Sequence, residues 1–101
     1  MDTTNLIEKK GELKITGPMT SNTVTQLYGD LLVSIGKVEK EDSENKACTV
    51  NLSTVTSVDS TAIALLVAIH RIHDQVIWAN VSDDIMSLIQ LYGIDWLKIK
   101  P

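Results

Sequence analysis

Residues 50–73, VNLSTVTSVDSTAIALLVAIHRIH, constrain the fold more than any other stretch, because an apolar strand meets a polar turn and then opens an apolar helix. Val50 and Leu52 read as the end of a strand, residues 54–57 as a loop, and Asp59, Ser60 and Thr61 as the side-chain oxygens that helix starts favour. The predicted helix spans residues 62–73. Ala62, Leu65, Leu66, Ile69 and Ile72 recur at spacings of three and four and make one face, while Ile63 and Val67 widen the apolar surface, so the helix is expected to be covered on more than one side. Asp59 and Ser60 then stand at the carboxyl end of a strand, the end at which open α/β sheets keep their working surface.

The remaining elements follow from periodicity and punctuation. Leu6 and Ile7, then Leu13 and Ile15, bracket Lys9, Lys10 and Gly11, a pattern that predicts a hairpin. Leu13 and Ile15 alternate with Lys14 and Thr16, so one face is buried and one is wet. Gly17-Pro18 is expected to break that strand, and Thr20, Ser21, Asn22 and Thr23 offer caps for a first helix. Val24, Leu27, Tyr28, Leu31, Leu32 and Ile35 form its stripe and Gly36 is placed to end it. Residues 37–46, KVEKEDSENK, carry mixed charge with hardly an apolar side chain, which predicts a solvated loop or an extended tail of the first helix. Val76 to Val81 is apolar on both alternating sets, as an interior parallel strand is. Ser82 caps a third helix with Asp83 and Asp84 in its first turn, an inner stripe of Ile85, Leu88, Ile89 and Tyr92, and Gly93 at its end. Ile94, Trp96, Leu97 and Ile99 make a short apolar tail for the sheet or for a partner. Strands alternating with helices predict an α/β fold, a mixed β-sheet with parallel central strands covered by α-helices.

A chain of 101 residues supports one domain, residues 1–101, with a single core but no cleft between domains, which favours a binding module over an enzyme. The formal net charge of -4 and the scattered lysines give no basic stripe, so nucleic acid is not expected as a partner. The amino terminus lacks the charged start and apolar run of a signal peptide, and no apolar run approaches the roughly 20 residues of a membrane span, so the chain is expected in the cytoplasm without inserting into a membrane. Cys48 cannot form an internal disulfide and reads as a small core residue.

Catalytic patterns are sparse. There is no Gly-rich phosphate loop and no Cys/His spacing for zinc, so neither cofactor nor metal is expected. His70 and His73 lie three apart on the central helix but have no evident third ligand, and they read as polar positions near a helix end. Asp59 and Ser60 are sequence neighbours without an assignable orienting base, so no catalytic residue is named. What remains is the hydroxyl at the helix start. A cap there contributes roughly 1 kcal/mol. A phosphate on Ser60 would be tolerated by the helix dipole, yet would place nearly two negative charges beside Asp59 on a surface meant for a partner.

The stretch Val58-Asp59-Ser60-Thr61-Ala62-Ile63, preceded by Val50-Asn51-Leu52-Ser53 and followed by an apolar helix, resembles the signature of STAS domains, usually Asp-Ser-Ser/Thr-Gly-Leu after a strand ending in Asp-Leu-Ser. The hairpin, Gly17, the strand VIWANV and the closing Leu91-Tyr92-Gly93-Ile94 also fall where that family has counterparts, so the resemblance implies a STAS fold over nearly the whole chain. Two branches of the family are free-standing cytoplasmic domains. In anti-sigma factor antagonists, the serine matching Ser60 is phosphorylated by a partner kinase, which switches binding off. In the Mla ABC transporter, a small STAS subunit binds the ATPase subunit and supports the movement of phospholipids that maintains outer-membrane lipid asymmetry. IALLVAIHRI and MSLIQLYGID resemble the central helix and the ending of this second branch.

The resemblance thus implies a non-enzymatic subunit that binds the ATPase of an Mla-type transporter and, through it, the inner-membrane permease. On that reading Asp59, Ser60 and Thr61 form the polar part of the interface, Ile63, Ala64 and Val67 supply apolar contact, and Ala64 and Ala68 allow close approach. The alternative is an anti-sigma factor antagonist switched at Ser60. The family glycine is Ala62 here, and its extra methyl group is expected where a partner backbone approaches, which favours static docking and capping by Ser60 over its phosphorylation.

Overall fold

The computed structural model describes residues 4–9, 12–41, 48–94 and 96–100. They form, in order, β1 (Asn5–Lys9), β2 (Glu12–Met19), α1 (Val24–Glu41), β3 (Cys48–Val58), α2 (Ser60–Ile72), β4 (Val76–Ala79), α3 (Asp83–Leu91) and β5 (Ile99–Lys100). The five strands make one sheet in the order of the chain. β1 pairs antiparallel with β2, with Leu6 opposite Ile15, whereas β2, β3, β4 and β5 are parallel neighbours. Each parallel step therefore needs a helical crossover, and steps that all advance in one direction with right-handed crossovers put every helix on the same face.

The side chains agree with that topology. Leu13, Ile15, Cys48, Val50, Leu52, Val76 and Trp78 are buried and belong to one core with residues from all three helices. Their out-of-phase neighbours Glu12, Lys14, Thr49 and Asn51 are exposed or half-buried on the opposite face. The helices thus cover one side of the sheet only, and β4 lies inside it between β3 and β5. α2 is the central helix, touching α1 and α3. Because the strand order never reverses among the parallel strands, the sheet has no switch-point crevice of the kind that holds nucleotides in doubly wound folds.

The structure corrects several boundaries. Gly17-Pro18 does not end β2. Gly17 takes φ 107, a conformation glycine adopts without penalty, and the pairing with β3 shifts twice, each time with one extra residue on β3, before Met19 pairs opposite Val58. The loop expected at residues 54–57 is strand: Thr54 pairs with Thr16, and its hydroxyl donates 2.9 Å to the carbonyl of Ile15. TVTSV, β-branched at every position but Ser57, carries strand propensity, but its polar side chains mimic a loop. Gly36 does not end α1, which continues to Glu41 as the extended tail, one of the two readings of residues 37–46; Lys37, Glu39, Lys40 and Glu41 are good helix formers. The rest of the predicted charged loop, residues 42–46, and the turn residues Lys10 and Gly11 lie outside the described residues, although Lys9 and Glu12 pair as the hairpin requires.

β4 stops at Ala79, where Asn80 adopts φ 55. Tyr92 is 51% exposed rather than part of the inner stripe of α3, because the helix ends at Leu91 and Tyr92 is its cap. Ser82 caps α3 as expected, accepting from the backbone N–H of Ile85. In the tail Leu97 is buried, Ile99 enters β5 and Trp96 is half exposed.

Candidate functional site

The carboxyl ends of β2 and β3 converge on the start of α2. The Asp59 backbone N–H donates 3.4 Å to the carbonyl of Met19, joining the two strand ends. Asp59 then leaves the strand in extended conformation and caps α2: Oδ1 accepts from the Thr61 backbone N–H at 2.8 Å and also from the Thr61 hydroxyl. Its other oxygen accepts from the backbone N–H of Ser21 at 3.0 Å, in the turn that opens α1. One carboxylate therefore fastens the first turn of α2 to the approach of α1. The Thr61 hydroxyl and then the Ser21 N–H hold this carboxyl below the ordinary carboxylate range, against a smaller opposing effect of desolvation.

With Asp59 committed to the scaffold, capping does not fall to Ser60. Ser60 is the first residue of α2, exposed, and its hydroxyl has no hydrogen bond among the described residues. Ala62 is fully buried, so its methyl group packs into the core and leaves the approach to Ser60 open, contrary to the expectation from the family glycine.

Beyond Ser60 the outward face of α2 steps through Ala64, Val67, Ala68 and Arg71, the three- and four-residue spacing of one helical stripe. This stripe floors an open groove of about 660 Å³ walled by Tyr28 of α1 on one side and by Tyr92 and Ile94 after α3 on the other. A smaller hollow of about 360 Å³ continues between α1 and α2 past Thr61. Of the candidate residues, Ser60, Ala64 and Val67 line the large groove, Thr61 lines the small one, and Ile63, 3% exposed, offers only an edge because most of it is core. Asp59 lines neither. The sequence reading missed Tyr28, Arg71 and Tyr92, and it placed Ile72 on the inner face, whereas Ile72 is 55% exposed. Arg71 was legible, since it continues the spacing from Ser60.

The histidines stand apart from this groove. The ring of His70 lies 4.9 Å from that of Trp96, centroid to centroid, and His73 is the C-cap of α2, its backbone N–H donating 2.8 Å to Ile69. No group of three or more metal-ligating side chains occurs among the described residues, and no helix there is long and apolar enough to cross a membrane.

No family model and no curated protein matches the chain. Solved structures do. The anti-sigma factor antagonist SpoIIAA in its unphosphorylated form is similar over 98% of this chain and 89% of that one, with a TM-score of 0.66 and 16% identity. The architecture built above, a mostly parallel five-strand sheet with three helices among the described residues, is the STAS fold of that antagonist.

Proposed function

We propose that the chain is a non-catalytic docking subunit whose α2 groove receives the ATPase subunit of an Mla-type ABC transporter, through which it is held at the cytoplasmic side of the inner membrane beside the permease. The observation that carries the docking role is the groove itself. Its floor is built from small and apolar residues of one helix, Ala64, Val67 and Ala68, and a hydroxyl stands free at its entrance. The Asp59 carboxylate is occupied in holding the scaffold, which agrees with a surface that binds rather than reacts. The choice of partner rests on the resemblance of IALLVAIHRI and MSLIQLYGID to the transporter branch of the STAS family.

The test is Ser60→Asp, measured against the purified ATPase subunit. An unpaired carboxylate at the groove entrance is expected to weaken binding by roughly tenfold or more, about 1.4 kcal/mol, with native circular dichroism. Unchanged affinity would remove the α2 start from the interface.

A second reading has its own support. The exposed, uncommitted Ser60 hydroxyl and the inward-facing Ala62 suit an anti-sigma factor antagonist switched by phosphorylation of Ser60, the class to which SpoIIAA belongs. Phosphate-affinity electrophoresis of protein from growing cells discriminates, since the switch requires a phosphoserine pool and the transporter subunit does not.

A further inference from the structure

The far end of the groove differs in character from its entrance. Among the described lining residues Arg71 is the one with a formal charge, and Ile72 and Tyr92, which line the same groove, are 55% and 51% exposed. Trp96, 49% exposed, sits against His70 on the preceding turn of α2, and Leu91 at the end of α3 is 75% exposed. Among the described residues, four of the six large hydrophobic side chains that are exposed, Ile72, Leu91, Tyr92 and Trp96, thus belong to the closing turn of α2 or the end and exit of α3. Arginine, tyrosine and tryptophan are the residue types that dominate interface energetics.

From Ser60 to Arg71 the stripe rises about 16 Å, three helical turns. Its centre is alanine, and small residues at a crossing let helix axes approach to the short end of the usual range of about 8–10 Å. The straight floor and helical spacing of its lining suit a helix better than an extended strand, which would need a free sheet edge to pair with.

Resting on the docking role above, we infer that the groove takes an amphipathic helix of the ATPase partner, with a small or apolar face over Ala64 and Ala68 and a carboxylate side chain that pairs with Arg71, anchored against Tyr92. An arginine covered by apolar walls must keep a partner for its guanidinium, and a carboxylate matches its paired donors. A second copy of this chain is the less suitable occupant, because each copy carries a net charge of -4 and like-charged surfaces repel.

The experiment titrates the purified ATPase subunit with wild-type protein and with Arg71→Glu, Arg71→Lys and Tyr92→Ala, at two salt concentrations, alongside thermal melts. Arg71→Glu is expected to lose more than roughly tenfold in affinity and Arg71→Lys several-fold, with melting unchanged because Arg71 is exposed; Tyr92→Ala is expected to weaken binding at both salt concentrations. The contribution of this pair to the salt dependence should change sign in Arg71→Glu, where salt screens a repulsion instead of an attraction, which a purely steric role of Arg71 would not produce. Reversing an acidic residue on the bound helix to lysine should restore affinity to Arg71→Glu. If wild type binds the ATPase and Arg71→Glu binds equally well, this inference falls and the docking role stands. Failure of wild type itself to bind the ATPase overturns both. A self-association lost in Arg71→Glu would assign the groove to a second copy and overturn the inference.

Discussion

Removing the Asp59 carboxylate tests the scaffold that presents Ser60. Asp59→Ala deletes an N-cap, which costs about 1 kcal/mol in typical proteins, and also the link to Ser21, a surface hydrogen bond contributing about 0.5 kcal/mol. The sum is roughly 1.5 kcal/mol, and at about 4–8 °C per kcal/mol for a chain of this size the melting temperature should fall by roughly 6–12 °C. Asp59→Asn separates the two effects. The amide oxygen can still cap α2, but its NH2 group then faces the donating N–H of Ser21, so about half of the loss should remain. The pH dependence gives a second check. The folded-state carboxyl titrates below its usual value of about 3.9, so its contribution is fully present above that value and is lost as pH falls through the lower folded one. The stability gap between wild type and Asp59→Ala, read by denaturant unfolding, should be constant from about pH 5 to 8 and close below about pH 4. An Asp59→Ala protein that melts with wild type, or a gap that does not narrow in acid, would refute the assignment of Asp59 as a clamp.

Two other substitutions probe the groove and the core. Ala64→Leu places three further carbons on an exposed groove residue, so melting should be unchanged while affinity for the ATPase falls roughly tenfold or more, measured by calorimetric titration. Trp78 is fully buried and its indole N–H has no acceptor among the described residues. Trp78→Phe relieves an unmet donor worth about 1–3 kcal/mol against a cavity and transfer cost of similar size, so denaturant unfolding should move by less than about 1 kcal/mol.

The fold was largely legible because its signals are strong and local. The 3.6-residue stripe of α2, the alternation of Leu13 and Ile15, and the two-sided apolar run of β4 each report a distinct environment, and the chain order of strands and helices then leaves few topologies. Errors arose where backbone pairing overrode side-chain character. Thr54, Thr56 and Ser57 are polar yet lie within β3, where Thr54 and Val55 pair with β2, and Gly17-Pro18 is a breaker that β2 passes through as its register with β3 shifts. At the site, Asp59, Ser60 and Thr61 were found together because a helix start concentrates such residues, but their division of labour was not readable. Which oxygen caps and which stays free depends on Ser21, 38 residues away in the chain from Asp59. Tyr28 and Tyr92 were missed as groove walls for the same reason: each is brought to α2 by tertiary packing, and no local pattern marks it.

The proposed docking onto a transporter ATPase can be read from affinity purification of the tagged protein from its own membranes, with mass spectrometry of what accompanies it. An ABC ATPase together with its permease is expected, both depleted from a Ser60→Asp preparation. Recovery of a soluble kinase-like anti-sigma factor in their place would contradict that docking and make Ser60 a phosphorylation switch.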